Sequence, residues 1–384
     1  MSTLPRPLGL PDFPWDLLAP YKRTASAHEG GICDLSVGTP VDPTPAFIRE
    51  ALAEASDAHG YPTVIGTEEV RRAILDWAAS RHMVDVGMGG VIPTIGSKEA
   101  VAWLPKLLGV RPGDTVLIPE VAYPTYDIGA RLAGARAVPV DPRCPGDWPD
   151  AQFVWLNSPG NPDGHVLGFD ELRAVVEWAR AHDAVVASDE CYAALPWSPA
   201  FVDEGVPSLL DARVCGGDAG GLVVLYSLSK QSNMAGYRAA LLIGDPRLVG
   251  AVVEVRKHSG LMVPGPVQHA MARALVEGDH VAAQRAVYGA RRERLARALE
   301  AAGLEPDPGT GAGLYLWVRD PGAKTPDSWD LVARMAGLGI LVAPGDFYGV
   351  AGRGRVRIAL TATDERIEAA ASRLEAAGEG LVGA

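Results

Sequence analysis

The feature of this chain that most constrains its fold is a series of short, nearly continuous apolar segments separated by segments with helical periodicity. Such apolar runs are typical of strands covered on both faces of a sheet. The predicted strands are DTVLIPE (114–120), ARAVPV (135–140), AQFVWLNSP (151–159), AVVASDE (184–190), GLVVLYS (221–227) and AALLIG (239–244). Apolar residues at helical spacing predict helices at 44–59, 67–81, 170–182 and 246–258, and the segment 94–108 is predicted to start with a glycine-serine turn and to continue as a helix. The alternation predicts an α/β fold, with a mostly parallel sheet that carries helices on both sides.

The length of 384 residues predicts a large domain and a smaller one. After about residue 285 a long charged helix leads into LYLWV, a helix at 327–337, GILVAP, RVRIAL and a final helix at 363–377. This pattern indicates a compact α+β unit. The first 34 residues are rich in proline and glycine and have weak periodicity, which predicts an extended arm. We therefore expect an arm (1–34) that packs on the small domain, a large α/β domain (35–285) and a small α+β domain (286–384).

The composition limits the partners that this chain binds. With 35 basic and 47 acidic residues the net charge is −12, which argues against nucleic acid as a partner. No apolar run reaches the roughly 18 residues that a membrane helix needs, and the N-terminus has no secretory pattern. We expect a cytoplasmic protein without a membrane partner. The four cysteines lack CxxC spacing, so we expect free thiols and no metal site: Cys33, Cys144, Cys191 and Cys215.

A polar loop, SLSKQSNMAGYR (227–238), follows the apolar run GLVVLY. The carboxyl edge of an α/β sheet is where such proteins present chemistry. Lys230 is either a solvated loop residue or a reactive amine. The hydroxyls of Ser227 and Ser229 and the guanidinium of Arg238 suit a phosphate group.

The segment GSKEA (96–100) gives a second candidate phosphate site. Small residues before a helix leave backbone N–H groups and the positive end of the helix dipole available to an anion, here at Ser97 and Lys98. The alternative is an ordinary Ser97 N-cap with Glu99 in the first turn. Ala100 stands where a capping box needs Glu or Gln, so that alternative gains no support from a box.

Four further positions are candidate ligands, each with a simpler structural alternative. Asp189 at the end of a strand is a helix cap or a carboxylate that awaits a cation. Tyr192 offers a phenol three residues later, and Asn161 in NSPGNPDG offers an amide from what is otherwise a turn. Tyr123 in VAYPTY belongs to a surface turn or stacks on a flat heterocycle.

Taken together, these groups match one ligand. A pyridine ring with an aldehyde, a phenolic oxygen and a phosphate would use the lysine, carboxylate, amide, phenol, stacking ring and phosphate cradle. The sequence therefore predicts a pyridoxal 5′-phosphate enzyme with Lys230 as the Schiff-base lysine.

At this point the chain resembles the fold-type I, class I/II aminotransferases over nearly its whole length. The motifs that carry the resemblance are YPTVIGTEEVR, GSKEA, YPTY, NSPGNPDG, SDECY, SLSKQSNMAGYR and GRVRIAL. The resemblance implies the aspartate aminotransferase-like fold of the pyridoxal phosphate-dependent transferases. It also implies a homodimer with shared active sites that acts on small amino and oxo acids.

The resemblance also implies a role for each matched residue. Lys230 binds the cofactor and moves the proton, and Asp189 pairs with the pyridine nitrogen. Asn161 and Tyr192 hold the phenolic oxygen, and Tyr123 stacks on the ring. Arg357 binds the substrate carboxylate, with Gly38 and Asn161 also on the substrate side. The phosphate ligands are Ser97 and Lys98, mainly through backbone N–H groups, then Ser227, Ser229, Arg238 and, from the neighbouring subunit, Tyr61.

The sequence departs from the family pattern at Asp163, where the family usually has Ser or Thr. We expect Asp163 to point away from the cofactor. Arg353 and Arg355 lie near Arg357, and strand alternation puts all three on one face if the strand extends that far. The motif favours Arg357 as the carboxylate ligand.

Among aminotransferases, the motifs SLSKQSNMAGYR, TIGSKEA and GDFYG (345–349) are most similar to bacterial N-succinyldiaminopimelate aminotransferases. This resemblance implies exchange of an amino group between glutamate and N-succinyl-2-amino-6-oxopimelate, by way of the pyridoxamine form, in lysine and diaminopimelate biosynthesis. The several carboxylates of that substrate call for cations besides Arg357, and the candidates are Lys22, Arg23 and Arg353.

Alternative functions remain open from the sequence. The motifs are shared with aminotransferases for aspartate, alanine or aromatic amino acids, and a pyridoxal phosphate-dependent C–S lyase or decarboxylase would use the same cradle. A non-catalytic sensor with this fold would carry a DNA-binding segment, but the first 34 residues show no helix-turn-helix pattern.

Overall fold

The computed structural model describes residues 9–381 of the chain. In chain order, its strands are β1 (Cys33–Asp34), β2 (Val91–Ile95), β3 (Thr115–Pro119), β4 (Arg136–Val140), β5 (Phe153–Asn157), β6 (Val185–Asp189), β7 (Leu222–Ser227), β8 (Ala239–Gly244), β9 (Glu305–Pro306), β10 (Tyr315–Arg319), β11 (Ile340–Leu341), β12 (Ala343–Pro344) and β13 (Arg355–Ala359). Its helices are α1 (Ala19–Ser26), α2 (Ala46–Glu54), α3 (Glu68–Ser80), α4 (Ser97–Leu107), α5 (Thr125–Ala133), α6 (Phe169–Ala181), α7 (Pro199–Glu204), α8 (Ala212–Cys215), α9 (Leu228–Gln231), α10 (Pro246–Ser259), α11 (Gly265–Val276), α12 (Asp279–Ala301), α13 (Ser328–Gly337) and α14 (Asp364–Ala377).

The centre of the fold is a seven-stranded sheet in the order β2-β8-β7-β6-β5-β3-β4. Its strands are parallel except for β8, which pairs antiparallel with β7 and β2. Alternate residues of β5 pack into two separate cores: Val154 and Leu156 into one, Phe153 and Trp155 into the other. Because both faces of the sheet are buried, these strands read as continuous apolar runs. The predicted α/β fold with a mostly parallel sheet is confirmed.

Two details of the predicted elements are wrong. Strand β2 was not predicted; its sequence VIPTI contains a proline, and it lies at the edge of the sheet, where a proline is tolerated. The segment 94–108, predicted to start with a glycine-serine turn and to continue as a helix, does so, with α4 beginning at Ser97 after this strand. The predicted helix at 44–59 is too long, because α2 ends at Glu54.

A second, smaller sheet in the order β12-β13-β10-β9 accompanies α12, α13 and α14. Its buried core includes Tyr288, Leu316, Val332 and Leu374. Helix α12 runs unbroken across residue 285, so the boundary there stays a prediction, as does the one after residue 34.

Within the described part of the N-terminal arm, residues 14–26 are helical rather than extended. A 3₁₀ turn at Pro14–Leu18 leads into α1. The ring of Trp15 lies 5.2 Å from that of Phe347, and Tyr21 stacks on Trp329 at 5.5 Å. A proline at the first helical position pre-sets the helical φ, so a proline-rich segment starts helices as well as loops. The first eight residues of the predicted arm lie outside the described residues.

Parallel strands bring three polar positions to one edge of the large sheet. Asn157 at the end of β5 is paired in register with Asp189 at the end of β6, and β7 ends beside them at Ser227. The carboxyl ends of parallel strands are where α/β folds bind ligands. Within residues 9–381, none of the helices combines the length and apolar character needed to cross a bilayer.

Candidate active site

A cavity of about 580 Å³ opens at this edge of the sheet. Apart from Tyr61, every residue predicted to bind the cofactor or the substrate α-carboxylate lines it: Gly38, Ser97, Lys98, Tyr123, Asn161, Asp189, Tyr192, Ser227, Ser229, Lys230, Arg238 and Arg357. Tyr61 lies elsewhere, with 97% of its side chain exposed. The structure therefore gathers residues from positions 38 to 357 around one space.

One end of the cavity presents donors for an anion. Ser97 is the first residue of α4, and a Cβ on the preceding Gly96 would lie 2.1 Å from Nη2 of Arg238. Only glycine therefore lets the guanidinium approach the start of the helix. The Ser227 hydroxyl donates to the Ser229 hydroxyl over 2.9 Å. Helix start, hydroxyls and guanidinium together offer the donors that could hold a phosphate.

Asp189 is a buried carboxylate in the same cavity. It accepts hydrogen bonds from the Tyr126 hydroxyl at 3.1 Å and from the Cys191 backbone N–H at 3.2 Å. Among the described residues it has no ion-pair partner, and burial raises its pKa. A protonated pyridine nitrogen would supply the missing cation and restore the charged carboxylate.

Lys230 lies in α9, and its ammonium donates to the carbonyl of Gly38. Burial lowers the pKa of Lys230 to about 8, and the positive charges of Arg357 and Arg238 add to the effect. A lowered pKa increases the neutral fraction of the amine, the form that attacks an aldehyde.

Arg357 is a buried cation on β13. Its guanidinium donates to Asn161 Oδ1 at 2.9 Å and to the Ser36 carbonyl at 2.7 Å, and it lies 4.0 Å from the ring centre of Tyr315. Its buried Nε–H has no hydrogen-bond partner within residues 9–381. The side chain therefore keeps donor capacity for a carboxylate.

The neighbouring arginines do not line this cavity. Arg355 pairs with Asp307 at 3.1 Å, and Arg353 lies outside β13 and pairs with Asp346 at 3.7 Å. The other two cations expected to bind distal carboxylates, Lys22 and Arg23, also lie away from it.

Lys98 lines the cavity instead. Its ammonium lies 5.2 Å from the ring centre of Phe13 and 5.9 Å from that of Tyr123. None of the described acidic residues forms an ion pair with it. Aromatic faces attract a cation without neutralising it, so Lys98 remains available to an anionic ligand.

Tyr315, Tyr126 and Trp15 line the cavity but were not identified from the sequence. The hydroxyls of Tyr315 and Tyr192 lie 3.2 Å apart. A Cβ on Gly38 would lie 2.2 Å from the Tyr315 hydroxyl, so the glycine makes room for this ring. Tyr315 lies in an ordinary strand sequence, GLYLWV (313–318), which carries no signal for such a contact.

Cys191 and Asp163 fit their expected passive roles. Burial raises the pKa of the Cys191 thiol well above its ordinary range, so the thiol stays protonated. Asp163 does not line the cavity; its carboxylate accepts from the His165 backbone N–H at 3.3 Å and forms an ion pair with the His165 ring at 3.5 Å.

The sequence profile of aminotransferase class I and II matches residues 31–374. The chain therefore belongs to this family of pyridoxal phosphate-dependent enzymes, and it has the aspartate aminotransferase-like fold. The phosphate cradle, the unpaired Asp189 and the low-pKa Lys230 fit that cofactor.

Two known proteins and one solved structure are similar to this chain over nearly its whole length. The 4-dedimethylamino-4-oxo-anhydrotetracycline transaminase OxyQ of Streptomyces rimosus is 51% identical over 95% of this chain and 99% of its own length. The LL-diaminopimelate aminotransferase of Aquifex aeolicus is 34% identical, with 92% of this chain and 94% of the relative covered. The structure of a probable N-succinyldiaminopimelate aminotransferase from Thermus thermophilus has a TM-score of 0.84 and 29% identity, and covers 95% of this chain and 100% of that one.

Proposed function

We propose that this aminotransferase moves an amino group between glutamate and N-succinyl-2-amino-6-oxopimelate, the succinyldiaminopimelate transaminase reaction of lysine biosynthesis. The observation that carries the proposal is a pair of cations facing one cavity, buried Arg357 and unpaired Lys98. The acceptor has one carboxylate beside its oxo carbon and a second one further along the chain. Arg357 binds the first, and the Lys98 ammonium binds the second.

The roles of the other residues complete the proposal. When bound, pyridoxal phosphate supplies an electron sink that acidifies the substrate Cα. Asp189 keeps the pyridine nitrogen protonated, Tyr123 stacks on the ring, and Asn161 and Tyr192 hold the phenolic oxygen. Ser97, Ser227, Ser229 and Arg238 hold the phosphate, with the backbone N–H of Lys98, which leaves the Lys98 ammonium free for substrate.

Lys230 acts as the proton carrier. Its amine would hold pyridoxal phosphate and, when free, would take the proton that leaves the substrate Cα and return it. A pKa near 8 suits this role, because a group titrating close to the working pH both takes and returns a proton.

We also propose that the active unit is a homodimer. Tyr61 is 97% exposed, as expected for a side chain whose role is to reach the phosphate site of a neighbouring subunit. Ile65, Trp103 and Val255 are large apolar side chains that are also 37–44% exposed. Sedimentation at micromolar protein concentration tests the dimer. We expect Tyr61→Ala to weaken cofactor binding and to leave the dimer intact.

The names of two relatives support the diaminopimelate assignment. The structural neighbour from Thermus is a probable N-succinyldiaminopimelate aminotransferase, and the Aquifex relative acts on LL-diaminopimelate by its name. The 51% identity to OxyQ favours a second candidate, a polycyclic ketone as amino acceptor.

A half-reaction separates these candidates. Purified enzyme is mixed with glutamate while the absorbance of the bound cofactor is followed, and candidate oxo compounds are then added back separately. We expect glutamate to convert the cofactor to its pyridoxamine form and the succinylated oxo acid to restore it fastest. Faster restoration by oxaloacetate, pyruvate or a polycyclic ketone would reassign the acceptor. No response to glutamate, with release of ammonia from other amino acids, would favour a lyase.

A further inference from the structure

A second cavity, of about 530 Å³, adjoins the first. Four side chains line both spaces and form the partition between them: Phe13, Trp15, Lys98 and Tyr123. Lys98, which has no ion-pair partner among the described residues, therefore lies at the boundary between the two cavities, and a ligand that occupied both would lie beside its side chain.

The arm side of this partition is fixed relative to Arg357. The Trp15 indole N–H donates to the Ser36 carbonyl at 3.2 Å, and the same carbonyl accepts from Arg357 at 2.7 Å. Phe13 stacks on Trp15 with ring centres 5.5 Å apart. One backbone oxygen thus sets the position of both the carboxylate ligand and the entrance to the second cavity.

The second cavity has its own cation. Arg131 on α5 lines it and pairs with Asp127, one turn earlier, at 2.7 Å. Such exposed ion pairs contribute about 0–1 kcal/mol, so a ligand carboxylate competes for the guanidinium at little cost. The wall of this cavity is mainly apolar, with Ile118 and Ile128 among its members, but the carboxylates of Asp12 and Glu120 also line it. A ligand carboxylate therefore has to bind at Arg131 itself, because the other charged side chains around it are acidic apart from Lys98 at the boundary with the first cavity.

We propose that the second cavity binds the remote acylamino end of a long dicarboxylate or tricarboxylate substrate, with its terminal carboxylate on Arg131. This inference rests on the proposed function, because the succinylamino group is the part of that acceptor left outside the first cavity. Arg357, Lys98 and Arg131 then bind three successive carboxylates. Cavity length, and not only charge, selects the substrate.

The test uses probes that cannot react. 6-(Succinylamino)hexanoate has two terminal carboxylates and an internal amide, and pimelate is a shorter dicarboxylate; neither has an amino or oxo group for transfer. Binding to the cofactor-loaded enzyme is measured by titration calorimetry. We expect Arg131→Gln to weaken the long probe about fivefold, the change for one exposed charged contact, and to leave pimelate unchanged. Ile128→Trp, whose larger side chain fills the cavity, should also weaken binding of the long probe and leave binding of pimelate unchanged.

Two matched variants serve as controls. Arg72→Gln breaks a similar i,i+4 ion pair, with Glu68, on α3, and Val202→Trp adds bulk to α7; neither position lines a cavity named here. The proposal is overturned if the long probe binds no better than pimelate, or if both cavity variants leave its affinity unchanged. An acceptor other than the succinylated oxo acid would overturn the proposed function while this binding result still stood on its own.

Discussion

The hydroxyls of Tyr192 and Tyr315 lie 3.2 Å apart, and the ring of Tyr315 lies 4.0 Å from the guanidinium carbon of Arg357. Tyr315 thus contacts both a proposed cofactor ligand and the proposed carboxylate ligand. A displacement of Tyr192 or of Arg357 would therefore reach the other residue through the ring of Tyr315.

Replacing Tyr315 by Phe is expected to raise the pH midpoint of the absorbance change of the bound cofactor. The variant keeps the ring under Arg357 but removes one hydrogen bond from Tyr192, which weakens the hold of Tyr192 on the phenolic oxygen. We expect about 1 kcal/mol of this stabilisation to be lost. Tyr348→Phe is the control, since the Tyr348 hydroxyl is buried without a partner within residues 9–381. Equal midpoints in both variants would contradict the prediction.

Gly96→Ala is expected to lower the affinity for pyridoxal phosphate at least tenfold. The new Cβ would lie 2.1 Å from Arg238 Nη2 and would push the guanidinium out of the cradle. Gly109→Ala separates this collision from backbone strain, because Gly109 also has a positive φ (+87°) but a Cβ added there would meet no atom within 4 Å. That control should lose about 1 kcal/mol of stability and keep its cofactor affinity. Fluorescence titration of the apoenzyme of each variant with pyridoxal phosphate measures the cofactor affinity, and urea unfolding measures the stability.

Lys230→Ala is expected to abolish amino transfer and leave the fold intact. Its side chain lines the cavity, and within residues 9–381 its one hydrogen bond is to the carbonyl of Gly38, so little packing is lost. Lys257→Ala on α10 is the control, since Lys257 is exposed and pairs with Glu254. Circular dichroism checks the fold and the glutamate half-reaction checks activity. Turnover by the Lys230 variant with bound cofactor would refute its assignment.

The apoenzyme is expected to lose stability as pH rises from about 4.5 to about 7. Burial raises the pKa of Glu190 from 4.5 to about 7, so the folded protein retains a proton that the unfolded chain releases in this window. The contribution of Glu190 to the free energy of unfolding is therefore fully present below pH 4.5 and is lost as the pH approaches 7. Glu190→Gln should flatten the profile, which urea unfolding at several pH values measures. Glu204→Gln, at an exposed position on α7, should leave the slope as in the wild type.

The site could be predicted from the sequence where a side chain follows a recognisable strand. Asp189 and Ser227 end strands whose apolar runs are unmistakable, so their common edge follows from the parallel sheet. The motif favours Arg357 over Arg355, and the structure separates them because Arg355 has Asp307 as a partner. Charge pairing of this kind joins residues far apart in sequence and leaves no local pattern.

Other parts of the site depend on packing that no periodicity encodes. Trp15 reaches the cavity only because the arm folds back against Phe347, and Lys98 stays unpaired only because aromatic rings surround it. Strand β2 was missed because Pro93 interrupts its pattern, although an edge position tolerates it. These features follow from tertiary contacts rather than from local propensity.

The Ser36 carbonyl that joins Trp15 to Arg357 has a practical consequence for handling this enzyme. An affinity tag fused to the N-terminus would precede the segment whose Phe13 and Trp15 line both cavities. If the proposed use of the second cavity is right, Michaelis constants measured with such a tag would differ from those of the untagged chain. A cleavable tag, removed before kinetics, keeps the measured selectivity that of the native chain.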